Sequence, residues 1–168
     1  QNPAAGHKRL VLYLPTFRDR APYIAQMLKT EFEGMDDYQL IISEHPLSNT
    51  KRDERYTPHG NFDSFDLMKL ADIIITDYSA CAFEAALLMK PLYFFTPDYN
   101  EYMTERGINI DLKAEMPSAV FDNAEALVNA VKSNSYDFNS LYSFKEKYIE
   151  VPKSSCSKVL ASFIAMKL

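Results

Sequence analysis

Glycine is scarce in this chain, with 4 among 168 residues, and no glycine-rich phosphate loop occurs. Neither a GxGxxG run nor a Walker A pattern appears, which removes the two commonest loop signatures for nucleotide phosphates. Cysteine is equally sparse: Cys81 and Cys156 make no disulfide framework and no metal-ligand spacing. Both lie in apolar, helix-like surroundings and read as buried free thiols in a reducing compartment. The three histidines have no close Cys or acid spacing, so the sequence offers no metal site. A GxSxG hydrolase turn is missing as well. No apolar run reaches the roughly 18 residues of a membrane-crossing helix. Positive charge is also short, with 18 Lys and Arg against 23 Asp and Glu for a net charge of -5. A broad nucleic-acid surface needs clustered Lys and Arg. The one basic run, Lys51-Arg52-Asp53-Glu54-Arg55, is broken by acids and reads as a solvated loop.

What is present is ordinary globular material, 47% hydrophobic and 24% charged. The chain begins at Gln1 rather than Met, shows no signal-peptide pattern, and reads as a piece of something longer. Residues 1–7 are expected to be linker and 8–168 one domain. Apolar runs at Arg9 to Leu14, Tyr38 to Ile42, Asp72 to Thr76 and Pro91 to Phe95 predict buried strands. Between and after them lie helical patterns at Pro22 to Phe32, Asp63 to Leu70 and Ser79 to Leu88. Further patterns lie around Ser140 to Tyr148 and Ser155 to Met166. Asp98 and Asp122 each precede a Glu by three positions, the spacing of a capping box, and predict helix starts. The stretch from Leu47 to Asn61 is polar and carries no assignment. This alternation predicts an α/β fold, an open parallel Rossmann-like sheet with helices on both faces. Such sheets bind ligands at the carboxyl ends of their strands.

Three loops at those ends hold candidate chemistry. After the first strand come Pro15-Thr16-Phe17-Arg18-Asp19-Arg20, where hydroxyl and guanidinium groups can receive a phosphate or simply meet solvent and local acids. After the second strand, Pro46 keeps His45 extended. His45 then either donates to a phosphoryl oxygen, stabilising a leaving group, or is a partly buried loop histidine. After the third, Thr76-Asp77-Tyr78-Ser79-Ala80 runs into a helix whose free N–H groups suit an anion, with Ser79 adding a hydroxyl. Glu84, farther along, can accept from ribose hydroxyls. The plain alternative is that Ser79 only caps its helix and Glu84 is a solvated acid. Tyr93, Phe94 and Phe95 fit a base pocket or, more simply, core packing.

Taken in order, LYLPTFRD, EHP, DLMKLADIIITDYSACAFEAALLMKPLYFFTPDYNEY and ERG resemble the C-terminal domain of the CDP-glycerol glycerophosphotransferase family, the teichoic-acid primases and polymerases. The likeness covers about Lys8 to Val131. It implies the C-terminal half of a GT-B fold, two Rossmann-like domains with the active site between them. It implies metal-independent transfer of glycerol phosphate, or a related polyol phosphate, from CDP-glycerol to an acceptor hydroxyl, releasing CMP with no cofactor. Carried over by motif, Thr16, Arg18 and His45 approach the diphosphate. Thr76, Asp77, Ser79 and Ala80 lie along the phosphate turn, and Glu84 meets the ribose. His45 is the residue implied in leaving-group stabilisation. Where relatives commonly have Asp, this chain has Glu84, and where they often show Pro-Gly-Pro it reads Met116-Pro117-Ser118-Ala119. The resemblance further implies a polymer or lipid-linked acceptor and a catalytic base, both met through an N-terminal domain that this chain lacks. It implies a cytoplasmic location at the inner face of the membrane, to which the longer protein is peripheral. Two rivals stand beside it: a GT-B domain for a nucleotide-sugar, and a non-catalytic flavodoxin- or receiver-like module. A receiver wants clustered acids after the first strand, whereas that loop holds two arginines beside Asp19 alone.

Overall fold

The computed structural model describes residues 8–44, 53–149 and 155–167. Four apolar runs form strands β1 (Arg9–Leu14), β2 (Tyr38–Ile42), β3 (Ile73–Thr76) and β4 (Leu92–Phe95), and a fifth, β5, is only Val120–Phe121. All pair in parallel in the order β2-β1-β3-β4-β5. Every residue of β3 and β4 is buried, as a parallel strand covered on both faces requires. The order reverses direction at β1, whose neighbours are β2 and β3, so the crevice between the β1 and β3 ends is the topological switch point.

The crossovers place the first helix on one face and the next two on the other. Helix α1 (Ala21–Phe32) buries Ile24, Leu28 and Phe32, one stripe at four-residue spacing, with Pro22 in its first turn. It packs beside α6 (Ala124–Lys132). On the opposite face lie α2 (Ser64–Leu70), α3 (Cys81–Leu87) and α7 (Phe138–Tyr148). Along β4 the period of two sorts the aromatics. Tyr93 meets Tyr136 and Phe121 on one face, and Phe94 meets Phe144 of α7 on the other. Lys90 ties α2 to the start of β4, its amine donating to the carbonyls of Met68 (3.1 Å) and Ala71 (2.6 Å) and to that of Lys69. A cation on the last carbonyls of a helix satisfies groups that lack partners within it.

Several expectations are corrected. Asp98 precedes α4 (Tyr99–Glu105) but makes no side-chain cap; its carboxylate is engaged elsewhere. Asn123, not Asp122, caps α6 by accepting from the Ala126 amide at 2.9 Å. Replacing Asn123 with Ala is expected to cost about 1 kcal/mol, measured by chemical denaturation, and an unchanged midpoint would show the cap idle. Ser79 is not the cap of α3; Ala80 holds that position, although the Ser79 hydroxyl accepts weakly from the Cys81 amide at 3.3 Å. Helix α5 (Leu112–Glu115) and β5 are additions to the elements the sequence predicts. Cys156, expected to be buried, is exposed, as is all of its helix, α8 (Cys156–Ala165). Among the described residues no helix is long and apolar enough to cross a membrane.

Candidate functional site

The carboxyl ends of β1, β3 and β4 are joined by one buried network. Asp77, fully buried at the end of β3, accepts from the Thr16 amide (2.9 Å), the Thr16 hydroxyl, its neighbouring Tyr78 amide (2.6 Å) and Nη1 of Arg18. The same Nη1 donates to the Thr16 carbonyl at 3.2 Å. Nε of Arg18 donates to Asp98 at 2.8 Å and Nη2 at 3.3 Å, so the guanidinium bridges two carboxylates from different strand ends. Thr76, also fully buried, donates to the Leu14 carbonyl at 2.9 Å and fastens β3 to β1. Burial, together with the Asp98 carboxylate it donates to, holds the Tyr78 phenol well above its ordinary pKa, so it remains a donor.

In front of this network lies a cleft of about 290 Å³. One side is the turn Asp77-Tyr78-Ser79-Ala80 with Phe83 of α3; the other is the segment Gly107 to Ile110. Gly107 takes a positive φ of 74°, a conformation that favours glycine, and lets the chain leave α4 toward that segment. The floor is apolar, built by Phe94 and Phe144, and Tyr78 and Tyr102 form a wall. Those two rings stack at 3.7 Å between centroids with 16° between their planes. A mostly apolar concavity with a few convergent polar groups is the usual form of a small-molecule site. The Cys81 thiol beside it is pushed up by burial, which leaves it a poor nucleophile.

Of the residues picked out by sequence, Asp77, Ser79 and Ala80 come together at the cleft. Thr16, Arg18 and Thr76 do not line it; they stand behind it as supports. The Arg18 side chain is 6% exposed and bonded to two carboxylates, and the Thr76 hydroxyl donates to a backbone carbonyl. Glu84 is exposed on α3 and stands outside the cleft lining, whereas Ala82 and Phe83 of the same helix contribute to it. His45 lies outside the described residues. Arg55 of the basic run pairs with Asp53 at 2.9 Å, in keeping with a solvated loop. Sequence reasoning missed Tyr102, the Gly107 to Ile110 wall and the bridging function of Asp98. The quoted stretch that ends at Tyr102 and the ERG motif that ends at Gly107 run through that side, but neither assigns these residues a role. No group of His, Cys, Asp and Glu among the described residues is arranged to hold a metal ion.

Comparison with known proteins follows the same outline. The model of the family described as CDP-Glycerol:Poly(glycerophosphate) glycerophosphotransferase matches residues 2–165. The chain is 30% identical over 166 residues to a teichoic acid glycerol-phosphate primase of Bacillus subtilis (strain 168), covering 94% of this chain and 43% of that one. It is 31% identical to a teichoic acid glycerol-phosphate transferase of Staphylococcus aureus (strain NCTC 8325 / PS 47), covering 74% and 36%. Among solved structures, the wall teichoic acid polymerase TagF superposes with a TM-score of 0.68 at 22% identity, over 99% of this chain and 44% of that one. A variant of that polymerase soaked with CDPG has the same fold over this region, with a TM-score of 0.66. The chain therefore spans less than half the length of these relatives.

Proposed function

Since this chain belongs to the CDP-glycerol:poly(glycerophosphate) glycerophosphotransferase family, we propose that it is the donor-nucleotide half of a transferase. That enzyme moves glycerol phosphate, or a related polyol phosphate, from a CDP-linked donor to an acceptor hydroxyl in surface-polymer synthesis. The observation that carries this reading is the cleft at the β3 and β4 ends, floored by Phe94 and Phe144 and edged by Ser79 and Ala80. Its apolar floor suits a base, and its hydroxyl-bearing turn at the start of α3 suits phosphate. By family motif we assign His45 as a donor to a phosphoryl oxygen and Glu84, exposed on α3 outside the cleft lining, as an acceptor for ribose hydroxyls.

In the reaction so read, the acceptor oxygen forms a bond to the distal phosphorus. The bond from that phosphorus to the bridging oxygen breaks, and CMP leaves with that oxygen. The acceptor's proton passes to a base in the remainder of the longer protein. This chain's own task is to bind the nucleotide, orient the diphosphate and stabilise the departing phosphate. The acceptor, polymer or lipid-linked, meets the longer protein at the inner face of the membrane.

Thermal unfolding tests the donor. A ligand at a hundred times its Kd stabilises by about 2.7 kcal/mol. CDP-glycerol and CMP at millimolar concentration are expected to raise Tm more than UDP- or GDP-sugars do. A larger rise with a UDP- or GDP-sugar would instead assign the chain to the nucleotide-sugar transferases.

A further inference from the structure

Asp98 sits one turn from the cleft and lines none of it. It occupies the capping position of α4 yet caps nothing. A capping carboxylate ordinarily stays wet, whereas the Asp98 side chain is only 6% exposed. Burying a carboxylate is costly unless its oxygens are fully engaged. Here they are: one takes Nε of Arg18 at 2.8 Å, and the other takes Nη2 at 3.3 Å and the Tyr78 phenol at 2.9 Å. Arg18 in turn lies over both rings of the Tyr78–Tyr102 stack, its Cζ 5.2 and 5.8 Å from their centroids. Both tyrosines face the cleft.

We propose that Asp98 is a positioning residue for the cleft, acting through Arg18 and Tyr78 to hold the Asp77–Ala80 turn and the tyrosine wall in the shape that receives a nucleotide. This rests on the donor-site reading above. One carboxylate fixes the guanidinium that anchors Asp77 and the phenol that sets the stack against α4. The turn and the wall are thereby locked in a single arrangement before any ligand arrives. Such pre-organisation lowers the ordering cost that binding would otherwise carry.

Calorimetric titration of CMP and CDP-glycerol into the 168-residue chain tests it, at a temperature where every variant is fully folded. Tyr78→Phe removes only the hydroxyl that reaches Asp98 and keeps the ring; Asp98→Asn keeps the size and loses the charge. Each is expected to weaken CMP by about fivefold or more. The double variant should be scarcely weaker than the worse single one, because both break the same link. Tyr136→Phe is the control: it deletes a hydrogen bond to the Leu92 carbonyl (2.9 Å) on the far side of the sheet, and should lower Tm with CMP affinity unchanged. Single variants that bind as the unaltered chain does, or losses that simply add, overturn the positioning role while leaving the donor site standing. Failure of the unaltered chain to bind either ligand overturns both.

Discussion

Replacing Arg18 with Met is expected to lower the unfolding free energy by about 3–5 kcal/mol, the usual consequence of leaving a buried charge without its partner. Two charges are stranded at once. Asp77 is fully buried and the Asp98 side chain nearly so, and Arg18 is the only cation bonded to either among the described residues. For a chain of this length the fall in Tm is on the order of 10 °C. Arg18→Lys should recover part of the loss, because an ammonium supplies charge but not the planar fork that reaches two carboxylates from different loops. Chemical denaturation of the three proteins ranks them directly. A loss below about 1 kcal/mol for the Met variant would mean that the network is solvated and holds little.

Phe144→Ala should be comparably damaging, at about 3–5 kcal/mol for a large ring removed from a packed interior. Phe144 is 1% exposed, and its ring contacts Phe83 (5.8 Å), Phe94 (6.3 Å) and Tyr148 (5.1 Å). It therefore joins α7 both to α3 and to the sheet, and its deletion opens the cleft floor from below. Phe144→Leu fills most of the space and should cost less than half as much. Denaturation midpoints distinguish the pair. If the alanine variant were as stable as the leucine variant, α7 would not be packed as described, and the cleft would lose its floor.

Much of the frame is legible in the sequence because the evidence for it is local. The strands Arg9–Leu14 and Tyr38–Ile42 are bounded where their apolar runs stop, at Pro15 and Ser43. Val120–Phe121 and Leu112–Glu115 escape notice because two and four residues carry no periodicity. The site divides in the same way. The turn at Ser79 and Ala80 is readable as a strand running into a helix, but the function of Arg18 is not. A guanidinium near a strand end looks free until the acids 59 and 80 positions away are placed against it. Asp98 misleads more directly. Its spacing to Glu101 is that of a capping box, and only the tertiary partners Arg18 and Tyr78 draw its carboxylate away from the helix. Local rules describe what a residue can do, and distant partners decide which of those things it does.

The margins of the sheet have a consequence for how the chain behaves in company. At one edge, the amide of Ile42 in β2 is taken by the Tyr56 carbonyl at 2.7 Å. At the other, β5 is two residues long and gives way at once to Asp122 and the Asn123 cap. An uncovered, extended edge is where neighbouring molecules add strands and begin to aggregate. Here one border is partly occupied and the other is too brief to act as a template, which guards the chain against sticking to its own copies through the backbone.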